Sequence, residues 1–249
     1  MSIRNKFFNL AVLSCAIALT GHSEIVGQKI QLAEEPMVDW SASASSDPVR
    51  QAKNKRYDRL PPGRITETPL HVEELPVNVH WWQGISGLPV EKSDAIVLGY
   101  VIDAKAFLSN NRSVVYSEFS VQTLQVLKNS TLKSLSDGST IVADRFGGAV
   151  VFPSGKVQHY RISNQGLPRT NQEYILFLKL NGEDFDIITG YAINNGRVSP
   201  LDEGPGLPFA KYQGRAVDYF LTELREAMST SSTKGPKSKW HTALTFPSR

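Results

Sequence analysis

Strand-like hydrophobic patterning runs from about residue 93 to residue 202 and carries the predicted fold. Asp94–Ala104 (DAIVLGYVIDA) is apolar on both phases, the pattern of a strand covered on both sides. Gly99 in its middle marks a sharp bend of the kind found at a barrel corner. Arg112–Lys128 is long and rich in β-branched and aromatic residues. Val115, Phe119 and Val121 share one face, whereas Leu124 and Val126 fall on the other phase, which predicts a bulge near Gln122–Thr123. A long, bulged strand can curve enough to serve both halves of a small barrel. After a polar loop at Asn129–Gly138, Ser139–Phe146 reads as a further strand that Gly147-Gly148 breaks. Ala149–Phe152 and Val157–Ile162 flank Pro153-Ser154-Gly155-Lys156, a tight turn. Tyr174–Leu180 (YILFLKL) is wholly apolar and is the best candidate for a central strand. Phe185–Ile193 and Arg197–Leu201 flank Asn194-Asn195-Gly196, a hairpin signal because Asn and Gly accept positive φ. One helix is convincing, from about Arg215 to Met228, where Val217, Phe220, Leu221, Leu224 and Met228 form an apolar stripe. The expected fold class is therefore mainly β: a small barrel of roughly five to six strands with one C-terminal α-helix, which packs on the sheet or closes an open end.

The flanks read differently. Residues 1–23 have the order of a secretory signal peptide: basic Arg4 and Lys6, an apolar run from Phe7 to Leu19, then small residues. That run is too short to span a bilayer, which takes about 20 residues. Export to the periplasm or beyond is the expectation, with no transmembrane segment in the mature form. Val12-Leu13-Ser14-Cys15 faintly resembles a lipoprotein box, but the apolar run continues past Cys15, which argues against anchoring there. Residues 24–80 hold six of the 14 prolines and show no persistent period, so they read as a disordered arm. The body is expected over 81–228, with Trp81-Trp82 marking its edge and one ring capping the barrel bottom. Residues 229–249 form a basic Ser/Thr/Lys tail read as flexible and solvated.

Composition narrows the function classes. A hydrophobic share of 41% indicates a real core diluted by polar segments. The net charge of +3 falls to about +1 once Arg4 and Lys6 are removed, so the strong basic excess of a nucleic-acid binder is missing. Cys15 is the single cysteine, which excludes an intrachain disulfide and a Cys-based zinc site. His71, His80, His159 and His241 show no metal-ligand spacing, and no nucleophile elbow, P-loop or dinucleotide fingerprint is present. No cofactor, metal or catalytic residue is assigned. The best candidate ligand surface is Arg145, Tyr160 and Arg161. If 157–162 is a strand, His159 and Arg161 leave one face and Gln158 and Tyr160 the other. Two arginines beside aromatics can hold an anionic or carbohydrate-like group. The competing reading pairs Arg145 with Asp144, Glu118 or Asp103 on a solvated sheet face.

The stretches SDAIVLG (93–99), YSEF (116–119), VLK (126–128), Gly147-Gly148, PSG (153–155), YILFL (174–178) and ITGY (188–191) resemble a group of uncharacterised secreted bacterial proteins. The core also looks like the OB-type barrel shared by netrin-module and metalloproteinase-inhibitor domains. The resemblance implies an OB-like fold, and it carries no functional residue over. The inhibitor family works through a disulfide-held N-terminal cysteine that the mature chain lacks. The resulting expectation is a non-catalytic binding or interaction module whose partner is a protein or a cell-envelope component, not nucleic acid. The alternatives are a structural envelope protein and, less favoured, a hydrolase with a dispersed site.

Overall fold

The computed structural model describes residues 35–58, 65–67, 74–77 and 81–233. The expected signal segment, and the tail beyond Thr233, lie outside the described residues. In chain order the elements are β1 (Met37–Asp39), α1 (Pro48–Tyr57), β2 (Glu74–Val77), β3 (Ala95–Leu108), β4 (Val115–Asn129), β5 (Thr140–Phe146), β6 (Gly148–Val151), β7 (Val157–Ile162), β8 (Gln172–Asn181), β9 (Asp184–Asn194), β10 (Arg197–Pro200) and α2 (Val217–Thr233).

The fold is mainly β. The larger, six-stranded sheet runs β10-β9-β5-β4-β3-β8, and an additional β8–β9 pairing joins its far strand back to β9. Hydrogen bonding therefore passes in a ring through β3, β4, β5, β9 and β8, with β10 appended to β9. The ring pairs are antiparallel except β5–β9, which is parallel at Ala143↔Phe185 and Asp144↔Asp186. A ring needs strongly bent strands, and β3 against β4 shifts register three times, including between Leu98 and Gly99. A Cβ on Gly99 would lie 2.5 Å from Val121 Cγ1, so the register shift expected of a mid-strand glycine falls where no side chain fits. At that shift Leu124 is left without a partner on β3, next to the bulge expected at Gln122–Thr123.

The double-phase apolar pattern of β3 and β8 has a direct cause. Val97, Val101, Leu176 and Leu178 join Phe119, Ile141 and Phe185 in a cluster drawn from all five ring strands. The alternate residues Ile96, Ile175 and Phe177 face outward and meet Tyr191, Phe209, Phe220 and Leu224. Each such side chain contributes roughly 1.5–3 kcal/mol of burial. The expected stripe on α2 supplies Phe220 and Leu224 to this outer cluster, with Val217, Leu221 and Met228 packed against it. The helix runs on to Thr233, past the expected boundary at 228. Trp81 and Trp82 pack on the same cluster, and Trp81 stacks on Phe209 at 6.0 Å.

A second sheet, β1-β6-β7-β2, has the β6–β7 hairpin at its centre and arm strands in parallel on both edges. The expectation of a single helix, with 24–80 as a disordered arm, is corrected at this point. The described part of that segment supplies β1, β2 and a second helix, α1. Asp47 caps α1 by accepting from Val49 N at 3.0 Å, and Pro48 opens it. No apolar period betrays α1, because its buried residues are Lys53, Asn54 and Tyr57. Its docking is ionic, and hydrophobic patterning is blind to that.

Candidate functional site

A groove of about 810 Å³ lies beside the loop 163–169, within the size range of ligand pockets. β7 delivers His159 and Arg161 to one end, the loop supplies Arg169, and the strands opposite add Gln172, Asn194 and Ser199. Glu203 and Glu35 add negative charge, and Leu167, Pro168, Ala192 and Leu201 make part of the lining apolar. Gln165 also lines it, and its buried Oε1 has no hydrogen-bond partner among the described residues.

The loop is held from beneath. Arg145 donates to Gly166 O at 2.7 Å, and Gly166 N donates to Asp202 Oδ1 at 3.0 Å. The same guanidinium meets Asp202 Oδ2 at 2.8 Å with both side chains almost fully buried. Thr189 Oγ1 donates to that carboxylate oxygen at 2.7 Å. Trp81 Nε1 donates to Ser163 O at 3.1 Å, and the Arg145 guanidinium lies 5.6 Å from the Trp81 ring centre. Gly166 passes so close to Leu201 that a Cβ would fall 2.0 Å from Leu201 O. A loop fixed by a buried ion pair and a crossing this tight presents a preformed wall.

Arg145, Tyr160 and Arg161 do not converge. Arg145 is buried under the loop as its support. Its partner is Asp202, not Asp144, Glu118 or Asp103. The physical reason is the strand period: Asp144 and Arg145 are neighbours on β5 and leave opposite faces. Tyr160 turns toward the apolar cluster of Val115, Val150 and Phe152, with its OH donating to Gln158 Oε1 at 3.1 Å. Burial pushes its phenol up to about 12. Arg161 alone reaches the groove. The expected sharing of a face by His159 and Arg161 is seen in their common partner. Glu35 Oε2 sits 2.6 Å from His159 Nδ1 and 2.6 Å from Arg161 Nη2, and Arg161 Nε donates to Glu35 Oε1 at 3.1 Å. Sequence reasoning missed Glu35, Arg169, Asp202 and Glu203. The signal that could have found the loop is its run of turn formers, Ser163-Asn164-Gln165-Gly166-Leu167-Pro168.

A second charged assembly lies under α1. Glu118 of β4 opposes Asp144 of β5, and Asp144 opposes Asp186 of β9, so three carboxylates stand in a row across three strands. Lys53 Nζ enters this row, 2.7 Å from Glu118, 2.8 Å from Asp144 and 2.6 Å from Asp184. Arg50 forks the Glu118 carboxylate and lies 3.9 Å over the Phe107 ring. Burial pushes Asp144 up to about 7, helped by Glu118 and Asp184 and opposed by Lys53. Burial pulls the Lys53 ammonium down, but hydrogen bonds to Asp144, Asp184 and Glu118 outweigh this and raise it.

Among the described residues no group of three or more His, Cys, Asp or Glu side chains is arranged to hold a metal ion. Among them, too, no helix is long and apolar enough to cross a membrane. No protein-family model matches the chain, and no curated protein matches it.

Proposed function

We propose that the protein is an exported, non-catalytic binding module, built on an OB-like barrel, that takes an anionic, carbohydrate-like ligand of the cell envelope in the groove beside the 163–169 loop. The observation that carries this reading is the groove itself: about 810 Å³, with Arg161, Arg169, Gln172 and Asn194 on a lining that mixes polar and apolar side chains. Arginine forks are suited to carboxylate and phosphate groups, and amide side chains such as Gln172 and Asn194 to sugar hydroxyls.

The OB-like part of the proposal is supported by strand order. Numbering the ring strands β3, β4, β5, β8 and β9 as first to fifth, the ring reads first, second, third, fifth, fourth and back to first. That is a five-stranded Greek-key order, the order of an OB-like barrel. The ligand class rests on the groove alone, and the near-neutral mature charge disfavours nucleic acid.

The test is calorimetric titration of the purified chain with an oligogalacturonate, against neutral maltotriose as control. The expected result is saturable binding of the acidic sugar that weakens by about tenfold or more in the Arg161→Gln/Arg169→Gln variant, since each lost charged hydrogen bond costs roughly 1.5–3 kcal/mol. Equal binding of both sugars, or an unchanged affinity in the variant, sinks the assignment. Recovery of the chain outside the cytoplasm with residues 1–23 removed checks the export.

A further inference from the structure

In OB-like barrels the ligand face is formed by the second and third strands with the loops joining first to second and fourth to fifth. In this chain those are β4, β5, the turn 109–114 and the turn 182–183; α1 engages the first three and reaches Asn181, the residue that leads into the fourth. Arg50 takes Glu118 of β4, and Lys53 takes Asp144 of β5. Asn110 Nδ2 donates to Gln51 O at 2.9 Å, and Asn111 N donates to Asp58 at 2.9 Å. Beside the other turn Arg56 donates to the carbonyl of Asn181, the last residue of β8, at 2.6 Å. Tyr57 lies flat on Tyr116, ring centres 3.9 Å apart and planes within 7°.

We infer that this acidic, aromatic face is a docking site for a basic helix with the spacing Arg-x-x-Lys-x-x-Arg-Tyr, and that α1 is an exchangeable occupant, replaced when a helix of the same chemistry is supplied by another protein. The location of the site rests on the OB-like reading; its chemistry rests on the contacts.

Two features make the occupant exchangeable. First, α1 is held by little apolar surface: Tyr57 is its one buried apolar side chain, and Val49 is 74% exposed. Buried ion pairs contribute little net stability, because desolvation offsets their attraction. Second, α1 has ten residues, a length at which an isolated helix does not persist in water, so nothing intrinsic keeps it formed once it lifts. The same ions make the site selective. A neutral or acidic helix would strand the carboxylates of Glu118, Asp144 and Asp184 without a cation, a penalty that rejects it. The aromatic floor of Phe107, Tyr116 and Phe146 adds a place for an arginine and a tyrosine.

The experiment uses a fluorescent peptide of residues 47–58, titrated with the full chain and with its Arg50→Gln/Arg56→Gln variant. Both proteins keep Lys53, so the central carboxylates stay paired. The variant is expected to bind the peptide on the order of tenfold more tightly than the wild type, because its own helix competes less. A Lys53→Gln peptide is expected not to bind, and binding should weaken with salt. Failure of the folded variant to bind, or equal binding of the Lys53→Gln peptide, overturns the proposal. Amide exchange on the wild-type chain is the second measurement and does not need the variant to fold. Exchange at Ala52–Tyr57 faster than in β3 and β8 is expected, and equal protection overturns exchangeability. Oligogalacturonate binding in the same samples reports separately on the groove.

Discussion

Arg145 and Asp202 are 57 positions apart in sequence and meet with both side chains almost fully buried. Asp202 also receives Thr189 and Gly166, so one carboxylate ties β5, β9 and the groove loop together. Removing it strands a buried guanidinium. Asp202→Ala is expected to cost about 3–5 kcal/mol in urea denaturation. A cost under about 1 kcal/mol would mean that the pair does not hold the loop. The identity of Arg145 as a noteworthy residue was legible in the sequence; its role was not. An arginine on a strand looks the same whether it faces a ligand or a buried aspartate, and only the return of the chain at residue 202 distinguishes the two.

At the scale of elements, strands and α2 were legible because hydrophobic period and turn residues record them locally. α1 was not, because it shows the period of no apolar face. Its docking sets a pH dependence. Three cations, Arg50, Lys53 and Arg56, face four carboxylates, Glu118, Asp144, Asp184 and Asp186. The excess carboxylate favours retention of a proton. Asp144 is raised from 3.8 to about 7, with burial as the main cause. A raised folded value means that its contribution is full below its ordinary range and is lost as pH rises through about 7. Asp186 is raised in the same direction, by burial first, against the Asn181 hydrogen bond and the Arg56 and Lys53 charges. Stability is therefore expected to fall as pH rises from about 4 to about 7. The Asp144→Asn variant should show a shallower slope in denaturant midpoint, with the remainder due to Asp186. A slope unchanged by that substitution would remove Asp144 as its source.

For the whole molecule, the ring is sealed by β8 pairing with both β3 and β9, so no ring strand is an open edge toward another ring strand. The outer cluster then couples the ring to α2 and to the tryptophans. Unfolding is expected to be one cooperative step, with tryptophan fluorescence and far-UV circular dichroism giving coincident denaturant midpoints. Two separated midpoints would show that a tryptophan-bearing layer, that of Trp81 and Trp82 or that of Trp40 beside Phe152, melts apart from the ring.

By itself the sequence determined the strand segments, the Asn195-Gly196 hairpin, the irregularity at Gly99 and the amphipathic α2, since each depends on residues within a few positions of one another. Tertiary structure alone decided which charges meet. Glu35 reaches His159 across 124 positions, Lys53 reaches Asp144 across 91, and Arg145 reaches Asp202 across 57. Ionic partners are selected by distance through space after the strands have closed, and hydrophobic periodicity carries no record of that choice.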